Sequence, residues 1–184
     1  MTLQHFKIDK TWALFLDRDG VINRRIVGDY VKTWDQLGFL PGVTDALKQF
    51  NAIFGTIVVV SNQQGVGKGL MTEKDVIAIH DRMIREIAVS DGRLDAVYFS
   101  PHLQSTGSLM RKPNIGMALK ARKQFPAINF KRSLMVGDSL SDMIFGKRVG
   151  MKTVMISSNP QPAKQYPRLI DFIYPDLLRL SSEL

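Results

Sequence analysis

The stretch Thr56-Ile57-Val58-Val59-Val60 constrains the fold more than any other part of this chain. It is continuous, apolar and mostly β-branched, and it is too short for a buried helix. Such a run lacks the polar alternation of a strand with one wet face. It suits a strand covered on both sides, as in a parallel sheet. Extended to Ser61, it joins four other short runs that read as strands: Ala13–Leu16, Ala96–Ser100, Ser133–Val136 and Thr153–Ile156. Helical spacing fills the intervals. Pro41-Gly42 opens a helix with Val43, Ala46, Leu47 and Phe50 on one stripe. Thr72, with Asp75 at the third following position, reads as the N-cap of a helix carrying Val76, Ile79, Met83 and Ile87. Asn114 is expected to cap a third helix. A fourth is expected from about Ser141 to Val149, stopped by Gly150, and a short one closes the chain after Pro175. Pro160-Gln161-Pro162 reads as a loop. This alternation predicts a doubly wound, mostly parallel α/β sheet in three layers, as one domain over residues 1–184.

Composition narrows the class. Hydrophobic residues are 45% of the 184 and charged residues 23%, values that permit a packed core and argue against disorder. No apolar run is long enough to span a membrane, so no membrane partner is expected. Cysteine is absent, which excludes disulfides and thiolate metal sites and fits a cytoplasmic protein. The net charge is +8, but the 25 Lys and Arg residues are scattered rather than blocked. That pattern favours a basic enzyme with a small anionic substrate over a nucleic-acid binder. A monomer is expected, since nothing in the sequence demands association.

In a parallel sheet every strand ends at one edge, and ligands bind there. The first strand leads into Asp17 and Asp19, the second into Ser61 and Asn62. A loop after the third leads to Arg111 and Lys112, and the fourth leads to Asp138 and Asp142. Any one of these loops has an ordinary explanation in turn chemistry. Four together point to a site that holds a divalent cation and attacks a phosphate. Asp17, first off its strand, is placed to be a nucleophile that forms an acyl phosphate. Asp19 is placed to protonate the leaving oxygen and then deprotonate water. Hard oxygen ligands suit Mg2+, with Asp17 and Asp138 as the expected side-chain ligands. Ser61 and Lys112 are expected to meet phosphoryl oxygens, with Asn62 and Arg111 as substrate contacts. Asp142 is expected to bind metal-bound water, to hold Lys112, or only to stabilise a helix N-terminus. The Gly65-Val66-Gly67-Lys68-Gly69 stretch fails the P-loop pattern, since Asn62 stands where its first glycine belongs and Gly69 comes after the lysine. Of the histidines, only His102 is placed to approach the site; His80 falls within a helix.

Four segments carry a resemblance: FLDRDGVIN at 15–23, VVVSNQQGVGKG at 58–69, RKPNIG at 111–116 and MVGDSLSDM at 135–143. In that order they resemble the haloacid dehalogenase (HAD) superfamily of phosphohydrolases, in the branch containing the heptose bisphosphate and histidinol-phosphate phosphatases. The segments DYVKTW at 29–34 and FLPGV at 39–43 also resemble the heptose enzymes. The resemblance implies a phosphomonoester hydrolase with an aspartyl-phosphate intermediate. It also implies the same roles for Asp17 and Asp19, and adds the Asp19 backbone carbonyl as a metal ligand. Its leading substrate is D-glycero-D-manno-heptose 1,7-bisphosphate. The alternatives are histidinol phosphate, a polynucleotide 3′-phosphate and, outside enzymes, a receiver-like phosphoacceptor module. Members of this branch bind zinc through cysteines and a histidine in the loop before the Arg-Lys-Pro segment. Here Ser100 and Met110 stand where cysteines would be, and His102 alone cannot build a tetrahedral site, so no zinc is expected. The stretches between Asp19 and Ser61 and between Ser100 and Lys112 are too short for an extra folded unit, so a capless site is expected.

Overall fold

In the computed structural model, which describes residues 3–184, six strands form a single sheet. They are β1 (Ala13–Leu16), β2 (Thr56–Asn62), β3 (Ala96–Ser100), β4 (Ser133–Gly137), β5 (Lys152–Ile156) and β6 (Phe172–Tyr174). Their order is β3-β2-β1-β4-β5-β6, and every neighbouring pair is parallel. The helices are α1 (Val43–Ile53), α2 (Glu73–Val89), α3 (Gly116–Gln124), α4 (Leu140–Val149), α5 (Gln161–Gln165) and α6 (Leu177–Ser181). None is long and apolar enough to cross a membrane.

The period-2 alternation of a strand splits the core in two. Leu14 and Leu16 of β1 pack on one face with Leu47 and Phe50 of α1, Met83 and Ile87 of α2, and Leu180 of α6. Ala13 and Phe15 pack on the other with Met117 and Ala121 of α3 and Phe145 of α4. β2 and β4 split the same way, which is why their sequences lack polar alternation. This is the expected three-layer arrangement.

Local chemistry explains the helix ends. Thr72 and Asp75 close a reciprocal capping box at α2. Gly150, with φ of 86°, ends α4 in the left-handed conformation. Three sequence expectations need correction. Asn114 does not cap α3: the N-cap is Ile115, and the Asn114 amide donates instead to the Gly107 and Ser108 carbonyls while accepting from Arg148. The Pro160-Gln161-Pro162 segment starts the short helix α5 rather than a plain loop, because proline is accepted in a first helical turn. The edge strand β6 was not expected, since three residues carry too little periodicity to be recognised.

The chain order runs outward from β1 to β3, then returns to β4 on the other side of β1. This reversal opens a crevice beyond the ends of β1 and β4. Leu16 pairs with Val136, and Asp17 N donates to Val136 O at 2.9 Å, so both acidic loops leave the sheet at the same level.

Candidate active site

A cavity of about 460 Å³ lies at that edge, and its walls include Asp17, Asp19, Ser61, Asn62, Arg111 and Lys112. Residues from β1, β2 and the loop before α3 are thereby brought together as expected. Oxygens of Asp17, Asp138 and Asp142 lie within 4.8 Å of one another, which brings the fourth loop to the same place. Two glycines make this close approach possible. A Cβ at Gly20 would overlap the Asp138 carboxylate, and one at Gly137 would overlap the Asp142 side chain.

Lys112 is the cation at the centre. Its side chain is 2% exposed, and its ammonium faces three oxygens. Nζ is 2.9 Å from Asp17 Oδ1, 2.6 Å from Asp142 Oδ1 and 2.7 Å from the Val60 carbonyl. Burial works against its charge, but the two carboxylates outweigh that and raise its pKa. Asp142, wholly buried, also accepts from Ser139 Oγ at 2.6 Å and from Ser139 N at 3.1 Å. It therefore both caps α4 and holds Lys112. Asn62 clamps the lysine's backbone: its amide nitrogen donates to Lys112 O and its oxygen accepts from Lys112 N, each at 3.0 Å. This uses much of the amide that was expected to meet substrate.

Asp17 Oδ1 accepts from Arg18 N at 2.7 Å and faces Lys112, while no donor among the described residues reaches Oδ2. Burial drives the Asp17 pKa up to about 7; Lys112 opposes this, and Asp142 and Asp138 add to it. Burial likewise raises Asp138 to about 6, against the pull of Arg25, whose Nη2 lies 2.7 Å from Asp138 Oδ1. A buried and a half-buried carboxylate that resist ionising together form a hard-oxygen site. A divalent cation with hard-ligand preference fits that donor set.

Asp19 is the opposite case. Burial pushes its pKa up, but the Arg18 charge and hydrogen bonds from Asn23, Arg18 and Gln63 prevail and hold it below the ordinary value. Ser61 Oγ accepts from Gln63 Nε2 at 2.8 Å, which leaves its own proton free to donate into the cavity. Arg111 lines the cavity, and its guanidinium donates one hydrogen bond among the described residues, 3.3 Å to the His102 carbonyl.

Sequence reasoning missed Arg18, Gln63 and Arg25. Arginine between two aspartates reads as a solvated charge, yet Arg18 is fully buried. The expectation for His102 is also corrected. It is exposed and does not line the cavity, only its carbonyl meeting Arg111, whereas His80 reaches the site's residues through Arg18.

A parallel α/β sheet with a carboxylate cluster at its switch point fits a class of proteins, the hydrolases of phosphate esters. A HAD-hydrolase-like family model matches residues 109–180. A D-glycero-alpha-D-manno-heptose-1,7-bisphosphate 7-phosphatase of Mycobacterium bovis is 47% identical over 132 residues, 72% of this chain and 70% of its own length. A D-glycero-beta-D-manno-heptose-1,7-bisphosphate 7-phosphatase of Rhodopseudomonas palustris is 39% identical over 76% of this chain and 79% of its own. Among solved structures, the D,D-heptose 1,7-bisphosphate phosphatase of B. bronchiseptica, complexed with magnesium and phosphate, superposes with a TM-score of 0.81 at 29% identity. That match covers 93% of this chain and 96% of the other. The chain belongs to the haloacid dehalogenase superfamily, in its heptose bisphosphate phosphatase branch, and is a phosphatase.

Proposed function

We propose that this chain is a Mg2+-dependent phosphomonoesterase that removes phosphate from a small phosphorylated sugar, D-glycero-D-manno-heptose 1,7-bisphosphate before others. The observation that carries the reading is the buried Lys112–Asp17 ion pair within a carboxylate cluster, in a chain that aligns with relatives of that name. Asp17 Oδ2 attacks phosphorus, a bond to the aspartate forms, and the bond to the sugar oxygen breaks. Asp19, a carboxylate in the free site, takes up a proton as the substrate phosphate arrives and gives it to that oxygen. A water then attacks the acyl phosphate, Asp19 takes the water's proton, and inorganic phosphate leaves with Asp17 restored. Lys112 orients the nucleophile, while the Ser61 hydroxyl and Arg111 guanidinium meet phosphoryl or other anionic oxygens of the substrate.

Asp17, Asp138 and the Asp19 carbonyl would hold the cation, with Asp142 one layer behind through Lys112. When bound, Mg2+ supplies positive charge that lets a carboxylate approach a phosphate dianion. The fit rests on the cluster of carboxylate oxygens of Asp17, Asp138 and Asp142 within 4.8 Å of one another. We further propose a monomeric enzyme working in the cytoplasm as a single capless domain, for which the lack of cysteine and the short loops around the cavity speak.

Phosphate release tests the substrate assignment across both anomers of the heptose bisphosphate, histidinol phosphate and a 3′-phosphorylated oligonucleotide. A kcat/KM for the heptose at least about tenfold above the others is expected. A higher value for the oligonucleotide, falling steeply with salt, would replace this reading with a polynucleotide phosphatase.

A further inference from the structure

Arg18 is the largest fully buried side chain among the described residues, and it lies between the two catalytic candidates of the first loop. A buried guanidinium is costly unless its donors are matched. Here its two terminal nitrogens point to two different groups. Nη2 lies 3.0 Å from both oxygens of Asp19 and 3.2 Å from Gln63 Oε1. Nη1 lies 3.0 Å from Nε2 of His80, on α2, which is 3% exposed and packs edge-on against Phe99. A guanidinium has no acceptor and keeps its protons. His80 Nε2 must therefore accept, so the ring is neutral with its proton on Nδ1. Burial and the Arg18 charge agree, lowering the His80 pKa to about 3.

The far end of this chain of contacts is a carboxylate held from both sides. Asp19 Oδ1 accepts from Arg18 and from Asn23 Nδ2 at 2.9 Å, and Oδ2 accepts from Arg18 and from Gln63 Nε2 at 2.8 Å. It cannot turn about its own axis without breaking several bonds. Proton transfer depends on that orientation, because the carboxylate must meet the leaving oxygen and then the water in line.

We propose that His80 is a positioning residue for Asp19: by accepting from Arg18 it fixes the guanidinium plane, and the guanidinium together with Gln63 fixes the carboxylate. This rests on the reading of Asp19 as the proton-transfer group. The device links a helix behind the sheet to the proton-transfer step, with no contact between His80 and the cavity. The imidazole is needed only as an acceptor at the Nε2 position. Glutamine carries a carbonyl oxygen to nearly that point, whereas leucine offers none and asparagine is too short.

The test measures kcat, KM and thermal unfolding of wild type, His80→Leu, His80→Gln and Asp19→Asn on D-glycero-D-manno-heptose 1,7-bisphosphate and on p-nitrophenyl phosphate. His80→Leu should lower kcat on the sugar phosphate about tenfold with KM within about twofold, and His80→Gln should recover most of it. The loss should be smaller on p-nitrophenyl phosphate, whose leaving group departs without a proton. If His80→Leu is recovered unfolded, His80→Asn takes its place, with the same expectation. Equal kcat in all His80 variants, an equal fall in His80→Leu and His80→Gln, or an equal loss on both substrates would overturn the proposal. Undiminished turnover in Asp19→Asn would remove the role assigned to Asp19 and overturn the proposal with it, whereas a loss in Asp19→Asn with equal kcat in all His80 variants would overturn the proposal alone.

Discussion

The Lys112 ammonium stands 2.6 Å from Asp142 on one side and 2.9 Å from Asp17 on the other, with 2% of its side chain exposed. Removing it leaves two buried carboxylates facing each other without a cation. Lys112→Met should cost about 3–5 kcal/mol of unfolding free energy, read by urea denaturation, and abolish turnover. A variant as stable as the wild type would show that the pair contributes nothing net to the fold.

Asp17→Asn keeps the shape and most hydrogen bonds of the side chain but removes the nucleophilic oxygen. Turnover should fall at least about 10³-fold, with a native circular dichroism spectrum. The acyl phosphate should also vanish from acid-quenched single-turnover mixtures, where the wild type accumulates it. Retained activity would reassign the nucleophile.

Chelation by EDTA should stop phosphate release and added Mg2+ should restore it fully. Calorimetric titration of the chelated protein should give a single Mg2+ site. Asp138→Ala should weaken that binding by at least about tenfold, since it deletes one charged oxygen ligand of few. Unchanged affinity in Asp138→Ala would place the cation elsewhere.

His80 makes stability depend on pH in a predictable direction. Its folded pKa, about 3, lies below its unfolded value of 6.5, so the unfolded chain binds the extra proton. The stability that neutral His80 contributes is full above about pH 6.5 and is lost as pH falls toward 3. The slope from this group is at most about 1.4 kcal/mol per pH unit. Asp17 acts oppositely, because its folded pKa is raised, so only the difference between wild type and His80→Gln isolates the histidine. That difference should shrink steadily between pH 6.5 and 5 in chemical denaturation. A pH-independent difference would mean that His80 is already charged in the fold.

Five of the six strands, the caps at Thr72 and Gly150, and the meeting of Asp17, Asp19, Ser61 and Lys112 at one edge were legible in the sequence. These come from local periodicity and from a chain rule of parallel sheets: apolar runs become buried strands, and the residues just past each run must arrive at the same edge. The edge strand β6 was lost because a three-residue, half-buried strand has almost no pattern of its own.

Tertiary structure alone decided which polar groups pair. Arg18 and His80 are 62 positions apart, and Asn62 and Lys112 are 50 apart. Nothing in either local sequence distinguishes a buried partner from a solvated one. A hydrogen bond between distant residues is set by where two elements land, to within a fraction of an ångström, and side-chain type fixes only what each group is able to donate or accept. So the residue types and their order along the chain specified an acidic, cation-binding edge. The packing of α2 behind β1 and β2 decided that Arg18 would be buried there and that a histidine would meet it.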